Sequence, residues 1–379
     1  MVMTNQPISS EGLWALTWKR LKADRLAMFS LAIVVLFLGL LVLSASGLVA
    51  SDWSEEVGVH YAPPDFVGQQ TGYKADELAE TDVVPAREVP PENPLDPLKD
   101  IIRDLRKEVS QGRPPTETYG IEDPLKTEMD EIRNRQSQEE TTVSDDSGRR
   151  KTLPFGADKW GHDIIKKTVK GSETSILVGL IAAFVATVLG TLLGAFAGYF
   201  GGWIDDSLNW FYNVFTSIPY LLLILAVAAV LQSKGVLTII LILGLTGWTG
   251  VFRLVRAEYI KHKEREYVLA ANTIGASNWR RMFVHIFPNV SHISLVQMSI
   301  LSVGFIKSEV ILSFLGFGVP VGVVSWGSML NEAQNELILG KWWQLVAVTV
   351  AMAILVTALS LFTDGLRDAL DPKLKQGDS

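Results

Sequence analysis

The sequence predicts an all-α membrane protein, a bundle of six transmembrane helices with both termini in the cytoplasm. Hydrophobic residues make up 48% of the 379 residues, more than a soluble chain of this size usually needs. Six apolar windows are each long enough to cross a hydrocarbon core of about 30 Å, which takes about 20 helical residues. A segment that spans the lipid must form a helix or part of a closed barrel, because all of its backbone N–H and C=O groups must be hydrogen-bonded within the protein. The windows cover residues 26–50, 174–200, 210–232, 236–255, 292–315 and 342–364.

The short loops orient this bundle. Basic loops remain on the cytoplasmic side of a membrane, and six spans then place residues 51–173 outside and both termini inside. A signal peptide at 26–46 is the alternative, but the apolar run is longer than the roughly 7–15 residues typical of such a core. The basic residues lie in the N-terminal tail, at Lys19, Arg20, Lys22 and Arg25, and in the loop after the fourth window.

Hydropathy and charge divide the chain into three regions. Residues 1–65 hold the tail, the first span and the start of an outer loop, residues 66–152 form an acidic insertion, and residues 153–379 form a five-helix core with a cytoplasmic loop at 256–290. Between residues 51 and 150 there are 12 Lys/Arg against 24 Asp/Glu. The insertion lacks aliphatic residues for a core of its own, so we predict that much of it is flexible.

Two stretches of the insertion have helical signals. Asp-Pro starts and helical apolar spacing predict short amphipathic helices at 96–112 and 122–140. The insertion is either a solvated acidic spacer or a docking surface for an extracytoplasmic partner.

Four glycines recur at four-residue spacing in and after the second window. Gly190, Gly194, Gly198 and Gly202 are predicted to share one helix face, and small faces permit close helix approach in membranes. The spacing leaves open whether this face packs within the chain or against another subunit.

Motifs for catalysis are missing from the sequence. It contains no phosphate-binding loop, no zinc-protease motif, no nucleophile elbow and no cysteine. We therefore expect no catalytic residue, no metal site and no cofactor bound by this chain. Lys307 and Glu309 are ionisable residues in the fifth window. They are either structural charges, a snorkelling lysine and a glutamate hydrogen-bonded between helices, or part of a polar translocation path.

The segment "EREYVLAANTIGASNWRRMFVHIFPNV" (264–290) begins with a predicted helix. Carboxylates suit the start of a helix, which places Glu264 and Glu266 there. Ala270 and Ala271 are strong helix formers that are expected to leave a flat, small face. Gly275 is a natural C-terminal stop.

A second helix follows in the same segment. Ser277 is predicted to cap it, and it carries Arg280, Arg281 and His285. Pro288 is predicted to end it. Acidic residues interleave with the basic ones, so nucleic acid is a poor partner.

This segment closely resembles the cytoplasmic EAA loop of bacterial ABC importer permeases. Flanking stretches resemble the C-type permease of dipeptide/oligopeptide importers: "GWTGVFRLVRAEYI" (247–260), "SEVILSFLGFGVP" (308–320) and "DGLRDALDPK" (364–373). The chain differs from the usual pattern of this family at His162, Trp210, Asn213 and Lys307, so the resemblance does not specify the substrate. The positions that match the EAA loop are Glu266, Tyr267, Ala270, Ala271, Gly275, Ala276, His285, Pro288 and Asn289.

The resemblance implies the type I permease fold and a non-catalytic subunit of an importer in the bacterial inner membrane. Its partners would be a second permease chain, two ATPase subunits that bind ATP and Mg, and an extracytoplasmic solute-binding protein. The EAA helix would seat in a groove of the ATPase, with the small Ala270 and Ala271 allowing a close fit. The family's substrates include dipeptides, oligopeptides and metal chelates. The competing hypothesis is a membrane scaffold or sensor that uses the acidic outer loop.

Overall fold

A computed structural model describes residues 13–68, 103, 104, 107, 149–320 and 322–370. In these residues the regular secondary structure is helical, with two isolated β-bridges and no strand. Five helical segments are long and apolar enough to cross a membrane, and a bent helix pair makes a sixth when it is counted as one span. The all-α membrane class is therefore confirmed. The five segments are Arg25–Ala45, Ile164–Phe200, Val236–Lys263, Arg280–Phe314 and Trp343–Leu370.

The helices within the described residues follow in chain order. They are α1 (Leu13–Ala23), α2 (Arg25–Ala45), α3 (Ile164–Phe200), α4 (Gly202–Thr216), α5 (Tyr220–Leu231), α6 (Val236–Thr246), α7 (Thr249–Lys263), α8 (Glu266–Thr273), a π-helical segment (Arg280–Ile286), α9 (Phe287–Phe314), α10 (Trp326–Ile338) and α11 (Trp343–Leu370).

Side-chain caps fix where several helices begin. The Asp24 carboxylate accepts hydrogen bonds from the backbone N–H groups of Leu26 and Ala27, at 2.9 and 3.2 Å, at the start of α2. Asp163 caps α3 in the same way. Such caps satisfy N–H groups that have no partner within the helix. As a result α3 starts ten residues before its apolar window, which begins at 174.

The third predicted span is broken. The continuous window 210–232 is wrong, because α4 and α5 meet at an angle of 89°. Pro219 stands at the break; proline has no N–H to donate and disfavours helical geometry in the residue before it.

The bent pair nevertheless crosses the bundle. It follows the C-terminal end of α3, whereas the next helix, α6, starts at Val236 in a cleft shared with Trp53 and Lys170. Lys170 belongs to the N-terminal end of α3. The chain therefore passes from one end of α3 to the other between residues 201 and 236.

Helix α3 is the centre of the bundle and packs against α6, α7 and α9. Half of its most apolar window is buried, against 17% in α2 and in α11. The two outer helices pack on each other, and a Cβ on Gly365 would lie 2.6 Å from the Cβ of Ala27. The apolar surface that α2 and α11 leave exposed is suited to lipid.

The acidic insertion lies almost wholly outside the described residues. The bundle belongs to a unit formed by Met1–Phe66 and Lys151–Ser379, and a second unit spans Val67–Arg150. Of the predicted helix at 96–112, residues 103, 104 and 107 are described and are helical. The predicted helix at 122–140 lies outside the described residues. The predicted flexibility concerns residues that also lie mostly outside them, so it stays a prediction.

Candidate functional site

The segment 264–290 lies at the C-terminal end of α3. The hydroxyl of Tyr199, near that end, donates to Asn278 Oδ1 at 3.1 Å. The buried hydroxyl of Tyr259 on α7 donates to the carbonyl oxygen of Met282 at 3.2 Å. The indole of Trp279 also packs edge-to-face against Phe196 of α3, with ring centroids 5.7 Å apart. These contacts fix the segment to the bundle.

Helix α8 begins at Glu266, as predicted for that carboxylate, but Glu264 belongs to the end of α7. Glu264 is the C-terminal cap residue of α7, and the extended Arg265 separates the two helices. On α8, Val268 and Ala271 are buried, with exposed fractions of 3% and 4%. Val268 packs in a core cluster with Met282 and residues of α7.

The expected flat face of two alanines is not present. Ala271 is buried within this chain whereas Ala270 is exposed, because successive residues on a helix point about 100° apart. Large apolar side chains are exposed among the polar residues of the segment instead. Leu269 is 53% exposed and Ile274 is 83% exposed. Tyr267 completes this surface at 39%.

Gly275 ends the helix as predicted. Its φ is +83°, a region that side chains with a Cβ rarely adopt. Its N–H donates to the carbonyl of Asn272 and that of Ala276 to the carbonyl of Ala271, both at 3.0 Å. A Cβ at Gly275 would meet nothing within 4 Å, so the backbone conformation, rather than lack of space, calls for glycine here.

The second helix starts where predicted but continues through Pro288. Ser277 Oγ accepts from the N–H of Arg280 at 3.4 Å. The chain then forms the π-helical segment, closed by a bond from the N–H of Phe287 to the carbonyl of Met282 five residues back. The wider turn accommodates the missing N–H of Pro288, which lies in the first turn of α9. The predicted stop before Pro288 is therefore wrong.

Three residues that match the family loop are brought together across the two helices. Asn289 Nδ2 donates to the His285 carbonyl at 2.8 Å and to the Tyr267 hydroxyl at 3.5 Å. His262 Nδ1 lies 2.8 Å from the same hydroxyl. Burial raises the pKa of Tyr267, so its hydroxyl stays protonated at neutral pH. Pro288 is exposed beside this group.

The glycine face packs within this chain. A Cβ at Gly190, Gly194 or Gly198 would come within 2.6–2.7 Å of a backbone carbonyl oxygen of α7 or its preceding residue. Gly202 is different: it lies beyond the end of α3, has a φ of +53°, and faces open space. The face therefore has three members, and Gly202 is not one of them.

Lys307 and Glu309 have opposite environments on α9. Lys307 is exposed, whereas Glu309 is fully buried. Glu309 Oε1 accepts from the hydroxyl of Ser313, on the same helix, at 2.7 Å. Within the described residues Oε2 has no hydrogen-bond partner. The hydroxyls of Ser175 on α3 and of Ser325 also approach this carboxyl, so Glu309 faces another helix as well as its own.

Sequence reasoning missed the exposed apolar residues Leu269 and Ile274. Both are visible in the sequence as large aliphatic residues within a charged loop, a position where burial is not assured. Their exposure follows from the orientation of α8, which the sequence does not specify.

Comparison with known proteins identifies related chains. Residues 190–376 match the family described as the binding-protein-dependent transport system inner membrane component. Residues 12–64 match the N-terminal TM domain of oligopeptide transport permease C. The dipeptide transport system permease protein DppC of Bacillus subtilis is 37% identical over 222 residues, 59% of this chain and 69% of the relative.

Two further matches have lower identity. The oligopeptide transport system permease protein OppC of Bacillus subtilis is 36% identical over 222 residues, 59% of this chain and 72% of the relative. Among solved structures, a chain of the inward-facing MetNI methionine ABC transporter has a TM-score of 0.44 at 16% identity, covering 55% of this chain and 98% of that chain.

Proposed function

This chain belongs to the family of binding-protein-dependent transport permeases, and we propose that it is one of two membrane subunits of an ATP-driven peptide importer. The observation that carries the proposal is the geometry of α8. One side of this helix is held in the protein core, while Leu269 on the helix and Ile274 directly after it are exposed outside the membrane-spanning segments.

The anchored side makes α8 a rigid unit. Val268 and Ala271 pack inward, and the Tyr267 hydroxyl is joined to Asn289 on α9. A push on α8 therefore reaches the long helix α9 directly, because α9 continues from the π-helical segment without an intervening loop. This connection is how movement of an ATPase subunit would change the packing of the bundle.

The exposed side is suited to a protein partner. Burying a Leu or Ile side chain stabilises a complex by about 1.5–3 kcal/mol, and exposed apolar clusters outside the membrane mark protein interfaces. Leu269 and Ile274 would supply this contact to an ATPase subunit. Two ATPase subunits would bind ATP and Mg, and this chain would bind no cofactor and catalyse no reaction.

The remaining assembly follows from the family and the charge pattern. With the bent pair counted as one crossing, the helices α2 to α11 make six crossings, and the basic N-terminal tail is assigned to the cytoplasm. The same parity assigns α8 to the cytoplasm of a cell with this chain in its inner membrane. A second permease chain would complete the path, and an extracytoplasmic solute-binding protein would deliver the solute.

The substrate class comes from the relatives, whose names describe dipeptide and oligopeptide transport. We assign small peptides to this chain on that basis. Lys307 contributes to the path in this proposal, because a lysine on an exposed helix face within a span requires water or a polar partner. Glu309, buried within the chain, has a structural role instead.

The docking role of α8 is tested by Ile274→Glu. A carboxylate at an 83% exposed position leaves the fold intact, but it would be desolvated in an apolar interface. We expect the variant subunit to insert normally and to lose most of the copurifying ATPase. The measurement is the amount of ATPase retained per permease chain after detergent purification.

Ile338→Glu is the matched control, since Ile338 is also 83% exposed but ends α10 near the other end of the bundle. It should retain the ATPase. Equal retention by both variants would refute the assignment of α8. Ala271→Glu is not a suitable test, because it would place a carboxylate in the core.

A further inference from the structure

Glu336 on α10 is a buried carboxyl that the proposed transport function does not use. Its exposed fraction is 2%, and within the described residues neither side-chain oxygen has a hydrogen-bond partner. The main-chain N–H of Lys159 approaches the carboxyl without reaching hydrogen-bonding geometry. Native proteins rarely leave such a group unpaired, because burying an unpaired charge is costly.

The neighbouring cation is already engaged by two other carboxylates. Lys167 Nζ lies 2.6 Å from Asp158 Oδ2 and 2.6 Å from Glu332 Oε2. His162 Nδ1 also lies 2.9 Å from Asp158 Oδ2. Among the described charges, Lys167 is the one buried ammonium in this cluster and serves two anions. It does not balance a third.

Among the described residues, the other side chains that face Glu336 are acidic or neutral. Tyr61 faces it from the outer loop, and Glu332 faces it from α10 itself. From α11, Gln344 contributes a neutral amide whose Nε2 donates to the Met329 carbonyl at 3.0 Å and to Glu332 at 3.4 Å. An ionised Glu336 would therefore sit beside two carboxylates without a counter-ion of its own.

We propose that Glu336 is a proton-binding site: it carries a proton in the folded protein, and the packing of α10 against α3 and α11 depends on that proton. The carboxylic acid has no net charge to desolvate, so the cluster accommodates it without a further cation. The cluster lies at the N-terminal end of α3, opposite α8. Under the proposed topology the proton therefore exchanges with the external medium.

The direction of the pKa agrees with this geometry. Burial, followed by repulsion from Asp158 and Glu332, raises the pKa of Glu336 from 4.5 to about 7, against the opposing effect of Lys167. Because the folded pKa lies above the unfolded one, the folded state binds more protons between these two values. Stability from this group is fully present below pH 4.5 and is lost as pH rises to about 7.

The test compares the wild-type chain with Glu336→Gln in detergent, where neither orientation nor transport affects the result. Infrared difference spectra between about pH 5 and about pH 9 report the band of a protonated carboxylic acid directly. We expect a wild-type component of this band that titrates with a midpoint near 7 and is missing in Glu336→Gln, whereas any band of the buried Glu309 is common to both chains. The thermal midpoint of the wild type should also fall across this range more than that of the variant.

Glu332→Gln is the control, since it removes a neighbouring carboxylate that is paired with Lys167. It should keep the band and move its midpoint downward, because one source of repulsion is gone. Persistence in Glu336→Gln of the component with a midpoint near 7, or a wild-type midpoint near 4.5, would overturn the proposal. Failure of Glu336→Gln to fold would also contradict it, because glutamine mimics the protonated acid in shape and charge.

Discussion

At the N-terminal end of α3, polar side chains are buried and bonded to one another, whereas at its C-terminal end apolar side chains are exposed. At the first end, the indole N–H groups of Trp326 and Trp343 donate to the carbonyls of Thr168 and Ala157, at 3.0 and 2.7 Å. At the second end, the side chains of Leu269 and Ile274 are exposed. The 37 residues of α3 separate these ends by about 55 Å.

This difference distinguishes an end whose charged side chains are bonded to one another within the chain from an end whose α8 is proposed to contact another chain. The buried network around Lys167 satisfies its own charges, apart from Glu336. The α8 end anchors its helix internally and leaves the outward face free, which is the arrangement of a docking surface. Substitutions at the first end should therefore change stability, and those on the exposed face of α8 should change association.

The largest expected effect is at the buried network. Lys167→Met removes the cation shared by Asp158 and Glu332 and leaves buried carboxylates unpaired. Breaking a buried ion pair in this way costs about 3–5 kcal/mol. Thermal unfolding in detergent should show a large decrease in the midpoint.

Lys166→Met is its control, because the neighbouring Lys166 pairs with Asp52 at the surface. Exposed pairs contribute little, so the midpoint should change much less. If the two variants were equally stable, the buried network would not distinguish this end of the bundle.

The next effect is expected in the C-terminal part of α3, where Gly194 packs against α7 inside the bundle. In Gly194→Ala the new Cβ would lie 2.7 Å from the carbonyl oxygen of Phe252, so α3 and α7 must separate. Overpacking of this kind costs about 1–3 kcal/mol. Gly39→Ala on α2 meets nothing within 4 Å and should not lower the unfolding midpoint. A Gly194→Ala chain as stable as the wild type would show that the helices are not in close contact.

The smallest effect is expected inside the α8 end. Tyr267→Phe removes the hydroxyl that accepts from Asn289 and contacts His262, at a cost of about 0.5–1.5 kcal/mol for a typical hydrogen bond. Hydrogen exchange of α8 should become faster while global unfolding changes little. Tyr212→Phe, whose ring stacks on Phe252, provides a comparison that should leave exchange in α8 unchanged. Unchanged exchange in Tyr267→Phe would mean that the hydroxyl does not anchor α8.

Much of the architecture follows from local sequence signals. Long apolar windows identify the spans, since about 20 apolar residues have few stable alternatives in water or lipid. Gly275 predicts the end of α8 because few other residues adopt its positive φ. The break at Pro219 and the continuation through Pro288 show the limit of this reasoning. The same residue type interrupts one helix and is accommodated in another, depending on whether the preceding turn widens.

The sequence by itself determined the membrane class, the helical segments and the position of the segment 264–290, because hydropathy and helix-stop residues act over short stretches of chain. Only the tertiary structure decided which side of each helix is covered. It places three glycines of α3 against α7 and turns Ala271 inward and Ile274 outward. It also surrounds Glu336 with the charges of Asp158, Lys167 and Glu332, which are far apart in the sequence. Periodicity indicates that a face is suited to packing, but the partner of that face is fixed by contacts between residues far apart in the chain.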